Sequence, residues 1–330
     1  MDSEKKSNNQ DVSLAGRIAG AVWGQFVGDA FCLGSHWIYD LNELERFFPG
    51  GPQGFDPPAE GHYHFGKEPG ELTHYGDAAL LLLRSLLERD GFDAADFGSR
   101  FVAMMECPAY KGYRDHAAKG TLENYRAFRE AHPDAAYSFQ EGADDDQPAT
   151  ISRLAPLAAH YFRSGDYLLQ VERATRVCQN NDRAVAYLKA HAVILRELFL
   201  GRPLAEAFER AAQRAGTEGD LGAEVSRKIT DAVASRSQPV RTVTARFGQS
   251  CPLASSFPAA VHCALHHAGD FSGALKATAA AGGDSAGRAA MVGAWLGASL
   301  GVSAIPGEWR LRLKAHAEIE NGVGRLMRVE

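Results

Sequence analysis

LAGRIAGAVWGQFVGDA, residues 14–30, places glycine at 16, 20, 24 and 28 inside an otherwise helical pattern. An interior glycine costs a helix about 1 kcal/mol against alanine, so something must offset four of them. Spacing by four sets them along one ridge, and a ridge without side chains lets a second helix approach backbone to backbone. GRAAMVGAWLGASLG, residues 287–301, carries a second ridge at Gly293, Gly297 and Gly301. These two helices are expected to pack together at the centre of the molecule.

Working outward, helical periodicity dominates. Asp77 to Arg89 opens on an acidic cap and stops before Gly91; Pro148–Phe162, Asp166–Cys178, Asp182–Leu200, Pro203–Ala215 and Asp220–Ser235 repeat that logic. Only Val240–Phe247 alternates as a strand would. The sequence therefore predicts an all-α bundle of about a dozen helices. Its longest loop is expected from Phe48 to Leu72, and that loop holds His62, Tyr63, His64 and Phe65, an unusual content for a mere connector. No composition shift marks a boundary, so residues 14–330 are read as a single domain behind a disordered tail, residues 1–13.

The chain has 330 residues and a formal net charge of −6, which argues against a general binder of nucleic acid or membrane surfaces. Its five cysteines are scattered and form no CxxC pair, which disfavours a disulfide framework and a structural zinc site. With no apolar run of membrane length and no legible targeting segment, a soluble protein of the reducing cytoplasm is expected. Walker and HExxH sequences are absent.

Each glycine helix delivers an aspartate to its own end. Asp29 follows Gly28 near a helix C-terminus, where the macrodipole disfavours an anion and a compensating donor is required. Asp284 precedes the second helix, where an ordinary N-cap explains it equally well. If the ridges meet, Asp29 and Asp284 are expected to share a cleft with His36, His62, His64, His74, Tyr75 and Asp77. That set suits general acid and base work. For any one histidine, a hydrogen-bonded core side chain is the plain alternative.

Five segments together resemble the ADP-ribosylglycohydrolase family: GAVWGQFVGDA (20–30), THYGDAALLLLRSL (73–86), ATISRLAPLA (149–158), TRVCQNNDRAVAYLKAHA (175–192) and AAGGDSAGRAAMVGAWLGASLG (280–301). The resemblance implies an all-α fold around a central cleft. It also implies a pair of magnesium ions binding the ribose of an ADP-ribosyl group whose bond to an acceptor is hydrolysed. The metal positions depart from the family pattern. Thr73-His74-Tyr75-Gly76 stands where Thr-Asp-Asp-Thr is usual, Asp284-Ser285-Ala286-Gly287 replaces Asp-Thr-Asp-Thr, Gln179 replaces a histidine and His36 an acid. Hard Mg²⁺ prefers carboxylates, so the two ions are not expected to be retained and no other cofactor is expected. HWIYD (36–40), YHF (63–65) and SSFP (255–258) are similar to the branch containing crystallin-like members.

The expected activity is hydrolysis of a glycosidic bond in an ADP-ribosyl or related compound, with Asp29, His74, Asp77 and Asp284 as catalytic groups. Substrate contacts are expected from His36, Tyr75, Thr73, Asp146, Arg153, Asn180, Asn181 and Ser285. For Asp146, Asn180 and Asn181 helix capping is the plain alternative, and for Arg153 a helix ion pair. The other function on the same scaffold is non-catalytic, a ligand binder or a crystallin-like structural protein. The partner expected in either case is a small nucleotide or glycoside.

Overall fold

The computed structural model describes residues 12–328. Most of the expected tail, residues 1–11, lies outside the described residues, but Ser13 is already the N-cap of the first helix, accepting from Gly16 N at 3.1 Å.

Sixteen α-helices and two short 3₁₀ turns make up the regular structure among the described residues, with no strand. They are α1 (Leu14–Phe31), α2 (Leu41–Phe47), α3 (His74–Arg89), α4 (Ala94–Glu106), α5 (His116–Ala131), α6 (Ala155–Tyr161), α7 (Tyr167–Arg176) and α8 (Asp182–Phe199). There follow α9 (Leu204–Ala215), α10 (Gly219–Ala234), α11 (Val240–Phe247), α12 (Leu253–His266), α13 (Phe271–Ala280), α14 (Ser285–Leu300), α15 (Gly307–Arg312) and α16 (His316–Leu326). No helix among the described residues is long and apolar enough to cross a membrane.

The all-α reading holds, with one correction. Val240–Phe247 is helix α11, not a strand. Its buried residues, Val240, Val243 and Thr244, fall at i, i+3 and i+4, and Pro239 sets the helix start. The alternation of this segment reads as a strand in the sequence, and packing overrides it.

The crossing of α1 and α14 is the spine of the molecule. A Cβ on Gly20 would stand 2.0 Å from Gly297 O, and one on Gly24 would stand 2.0 Å from Gly293 O. The converse holds as well, since a Cβ on Gly293 would meet Gly24 O at 2.1 Å. Backbones therefore touch directly, which explains the glycine spacing. Gly16 falls outside the contact, facing Ser13 and Val12, whereas Gly301, the C-cap of α14 with φ 82°, ends it, its carbonyl carbon 3.0 Å from a Cβ on Gly20. Both helices are buried along nearly their whole length, and the remaining helices wrap them in one apolar core.

Candidate functional site

The end of α1 and the start of α14 lie beside the N-terminus of α3. Asp29, at the end of α1, accepts from Thr73 N at 2.7 Å and from Thr73 Oγ1 at 2.5 Å. Thr73 is itself the N-cap of α3, accepting from Tyr75 N at 3.1 Å, so this helix begins at His74 rather than at Asp77. The donor that Asp29 requires is thus the start of a neighbouring helix. Burial pushes Asp29 up to about 6, and the two Thr73 bonds resist that rise.

Asp284 caps α14, accepting from Gly287 N at 3.1 Å, while its Oδ2 is buried without a partner. Burial raises its pKa to about 6, against the pull of Arg288 and the Gly287 N–H. The preceding glycines are dictated by geometry. Gly283 has φ 64°, and a Cβ there would stand 2.2 Å from Gln249 O. Arg288, buried one turn into α14, donates to Gln249 O at 3.2 Å and to Gly282 O, fixing the loop in front of the helix.

Three histidines fill the space between Asp284 and α3. His36, His64 and His74 are all buried, with ring centroids 5.5 Å (36–64), 5.6 Å (64–74) and 6.3 Å (36–74) apart. His36 Nδ1 accepts from Ala286 N at 3.2 Å; both nitrogens of His64 lack partners. Burial drives the pKa of His36 and His64 well below the ordinary value, so both rings are neutral at pH 7. Tyr75 packs beside His74 at 4.0 Å between centroids, its hydroxyl buried and unpartnered.

Trp37 covers this stack. Its ring lies 4.3 Å from His36 and 5.8 Å from His64 in stacked arrangement. Its Nε1 donates to Cys251 Sγ at 3.2 Å and its backbone N to Gly283 O at 2.7 Å. Trp37 also has φ 64°, a conformation that a bulky residue holds only at a cost of about 1–3 kcal/mol. Beyond it opens a pocket of about 290 Å³, walled by Trp37, Tyr39, Tyr63, Tyr113 and Cys251 and including Asp115.

Asp115 is the carboxylate on that wall. It is the N-cap of α5, accepting from Ala118 N at 2.7 Å, and its Oδ2 lies 3.2 Å from His74 Nε2. Burial pushes its pKa up, but His74, the Ala118 N–H and the Arg153 charge outweigh burial and hold it below the ordinary value. It is therefore ionised at neutral pH.

Of the residues expected from sequence, His36, His74, Tyr75, Asp284 and Ser285 gather in this region, with Thr73 and Asp29 directly behind α3. The Ser285 hydroxyl is buried and unpartnered. Asp77 is not part of the gathering: its carboxylate accepts from Lys67 Nζ at 2.7 Å and Tyr110 OH at 2.9 Å. Arg153 is buried over the rings of Phe97 and Phe101 and does not reach the open pocket. Asp146 lies 3.5 Å from Arg183 and Asn180 accepts from Arg176 at 2.7 Å. Asn181 caps α8 and donates to Asp144 at 2.6 Å. Gln179 is fully engaged, accepting from Thr150 and donating to Asp145 and Gln147. Trp37, Tyr113, Asp115, Cys251 and Arg288 were not singled out by the sequence. Asp115 is the N-cap of α5, as Asp93 is of α4 and Asp40 of α2, and a cap by itself marks no site.

The family model for ADP-ribosylglycohydrolase matches residues 10–330. The chain belongs to the ADP-ribosylglycohydrolase family. Crystallin J1A of Tripedalia cystophora is 26% identical over 92% of this chain and 94% of its own length. Crystallin J1B of the same animal is 24% identical over 95% and 97%. A solved structure titled ADP-ribosylglycohydrolase-related protein complex superposes with a TM-score of 0.74 at 24% identity, covering 96% of this chain and 99% of that one. The fold is thus that of the ADP-ribosylglycohydrolase family, and membership supports a glycosyl hydrolase-like role.

The two magnesium ions implied for that family do not fit the residues present. Where carboxylates would converge, His36, His74 and Tyr75 place rings, and Arg288 supplies a buried cation next to Asp284. Imidazole lone pairs lie in the ring plane, and His36 and His64 are inclined by only 17°, His64 and His74 by 29°. Rings stacked in this way turn their faces, not their lone pairs, towards one another. Among the described residues, no group of three or more His, Cys, Asp or Glu is arranged to hold a metal.

Proposed function

We propose that this member of the family hydrolyses a glycosidic bond of an ADP-ribosyl or related ribosyl compound in the aromatic-walled pocket, without the magnesium pair. The observation carrying this reading is Asp115, an ionised carboxylate on the pocket wall with His74 3.2 Å behind it. A carboxylate so placed can take a proton from attacking water and stabilise an oxocarbenium-like centre by its charge. Trp37, Tyr63 and Tyr113 offer apolar ring surface for the sugar or base, as small-molecule sites commonly do. His36 is neutral and cannot act as an imidazolium acid. A single carboxylate base favours bonds with good leaving groups, acyl oxygens or cationic nitrogens, over simple ethers.

One observation favours a second reading, a non-catalytic ligand binder or crystallin-like protein. The space beside Asp284 is occupied by His36, His64 and Tyr75 under a strained Trp37, so no ligand group reaches that carboxylate in this conformation. Incubation with N- and O-linked ADP-ribosyl and ribosyl compounds in excess EDTA separates the two. The hydrolase reading expects turnover that Asp115→Asn lowers by about 10²–10⁴. Calorimetric binding without turnover of any compound supports the second.

A further inference from the structure

Next to Asp115 lies a second, smaller hollow of about 10 Å³, lined by His74, Tyr75, Asp115, Arg153 and Cys178 among apolar neighbours. Among the described residues no carboxylate stands within 4 Å of the buried Arg153 guanidinium, and its Nη2 is without a partner. Its guanidinium is instead layered on Phe97 and Phe101, with Cζ 5.2 Å and 5.7 Å from their centroids. Two other lining residues also carry buried unpartnered atoms, Tyr75 OH and His74 Nδ1. A buried guanidinium is costly unless its donors are met.

A void of this size matches one water, which needs two to four polar partners. We infer that one internal water occupies the void and links Arg153 to the Asp115–His74 pair, making Arg153 the positioning residue that orients Asp115 and keeps it charged. The role given to Asp115 rests on the function proposed above; the water and the electrostatic link do not. This explains why an arginine sits behind the pocket rather than in it, with aromatic faces holding its plane and one edge turned to the void.

Two measurements test the inference. A high-resolution crystal structure of the wild-type protein should show one oxygen within hydrogen-bond distance of Arg153 Nη2, and a dry void overturns the inference. NMR titration of the Asp115 carboxyl should then move upward by about one pH unit in Arg153→Met and return most of the way in Arg153→Lys. An unchanged Asp115 titration in Arg153→Met overturns the positioning role. Should that variant not fold, Tyr75→Phe serves in its place, losing one partner of the water and raising the Asp115 titration by a smaller amount; no movement there counts against the link. If Asp115 shifts as stated while no glycoside is hydrolysed by the wild type, the inference stands and the hydrolase reading falls.

Discussion

His36 Nδ1 and Asp284 Oδ1 stand 3.7 Å apart, yet they do not form an ion pair. The backbone N–H of Ala286 donates to that same Nδ1, so the nitrogen presents a lone pair and its proton resides on Nε2. Two acceptors thus face one another at the start of α14, each held by a backbone N–H of the first turn. Arg288 and the helix N-terminus, not a charge on His36, stabilise this end of Asp284.

Asp284 accordingly carries a stability cost at neutral pH. Its folded pKa of about 6 lies above the ordinary 3.8, so the folded protein binds more protons between those values. The cost is present above pH 6 and is relieved as pH falls through that window, an effect of up to about 3 kcal/mol. Asp284→Asn keeps the cap and removes the charge. Urea unfolding should find this variant more stable than wild type by about 1–3 kcal/mol at pH 7.5, with the gap closing by pH 4. A pH-independent difference would show that Asp284 is not buried as an anion.

Histidines give the opposite slope. His191 accepts from Trp295 Nε1 at 2.8 Å in the core, and burial lowers its pKa from 6.5 to about 3. The unfolded chain takes up the proton first, so stability falls as pH drops from 6.5 towards 3, by up to about 1.4 kcal/mol per pH unit. His36 and His64 act in the same direction. His191→Gln, which retains an acceptor for Trp295, should flatten the acid limb of the stability curve. Parallel curves for variant and wild type would mean that His191 titrates normally.

The helix crossing tolerates no side chain. Gly24→Ala places a methyl 2.0 Å from Gly293 O; the methyl is fixed to the helix and its partner is backbone, so neither can rotate away. A loss of at least about 3 kcal/mol, or failure to fold, is expected. Gly324→Ala in α16 is the control, because no atom lies within 4 Å of its Cβ. That change should be neutral or stabilising by up to about 1 kcal/mol. Thermal melts of the two proteins side by side check both halves.

The sequence encodes the fold more directly than the site, and the reason is physical. A glycine every fourth residue has a local cost that only a close helix contact repays, so α1 and α14 can be paired without knowing what lies between them. Asp115 carries no such signature: capping α5 is a sufficient local reason for an aspartate, and its place on the pocket wall depends on α3 across the fold. Asn180, Asn181 and Asp146 illustrate the converse, polar residues near a family motif whose partners turn out to be Arg176, Asp144 and Arg183. For α11, a helical spacing of buried residues was concealed by three β-branched side chains in its first four positions and a fourth in the fifth.

Asp77 and Asp115 both belong to the neighbourhood of α3, and the geometry assigns them different work. Asp77 is tied to Lys67, whose buried ammonium also donates to Leu72 O at 2.5 Å, and so anchors the end of the long loop to the helix. Asp77→Ala leaves that ammonium unpaired. Because the Asp77 side chain is 20% exposed, the loss should be about 2–3 kcal/mol, below the 3–5 of a fully buried pair. Turnover per folded molecule should stay within a few-fold of wild type. Asp115→Asn should do the reverse, losing less melting temperature than Asp77→Ala because Asn still caps α5, while turnover falls steeply. Melting temperature and kcat measured on both variants give the comparison. Loss of turnover in Asp77→Ala with an unchanged melting temperature would return Asp77 to the chemistry and remove Asp115 from its place.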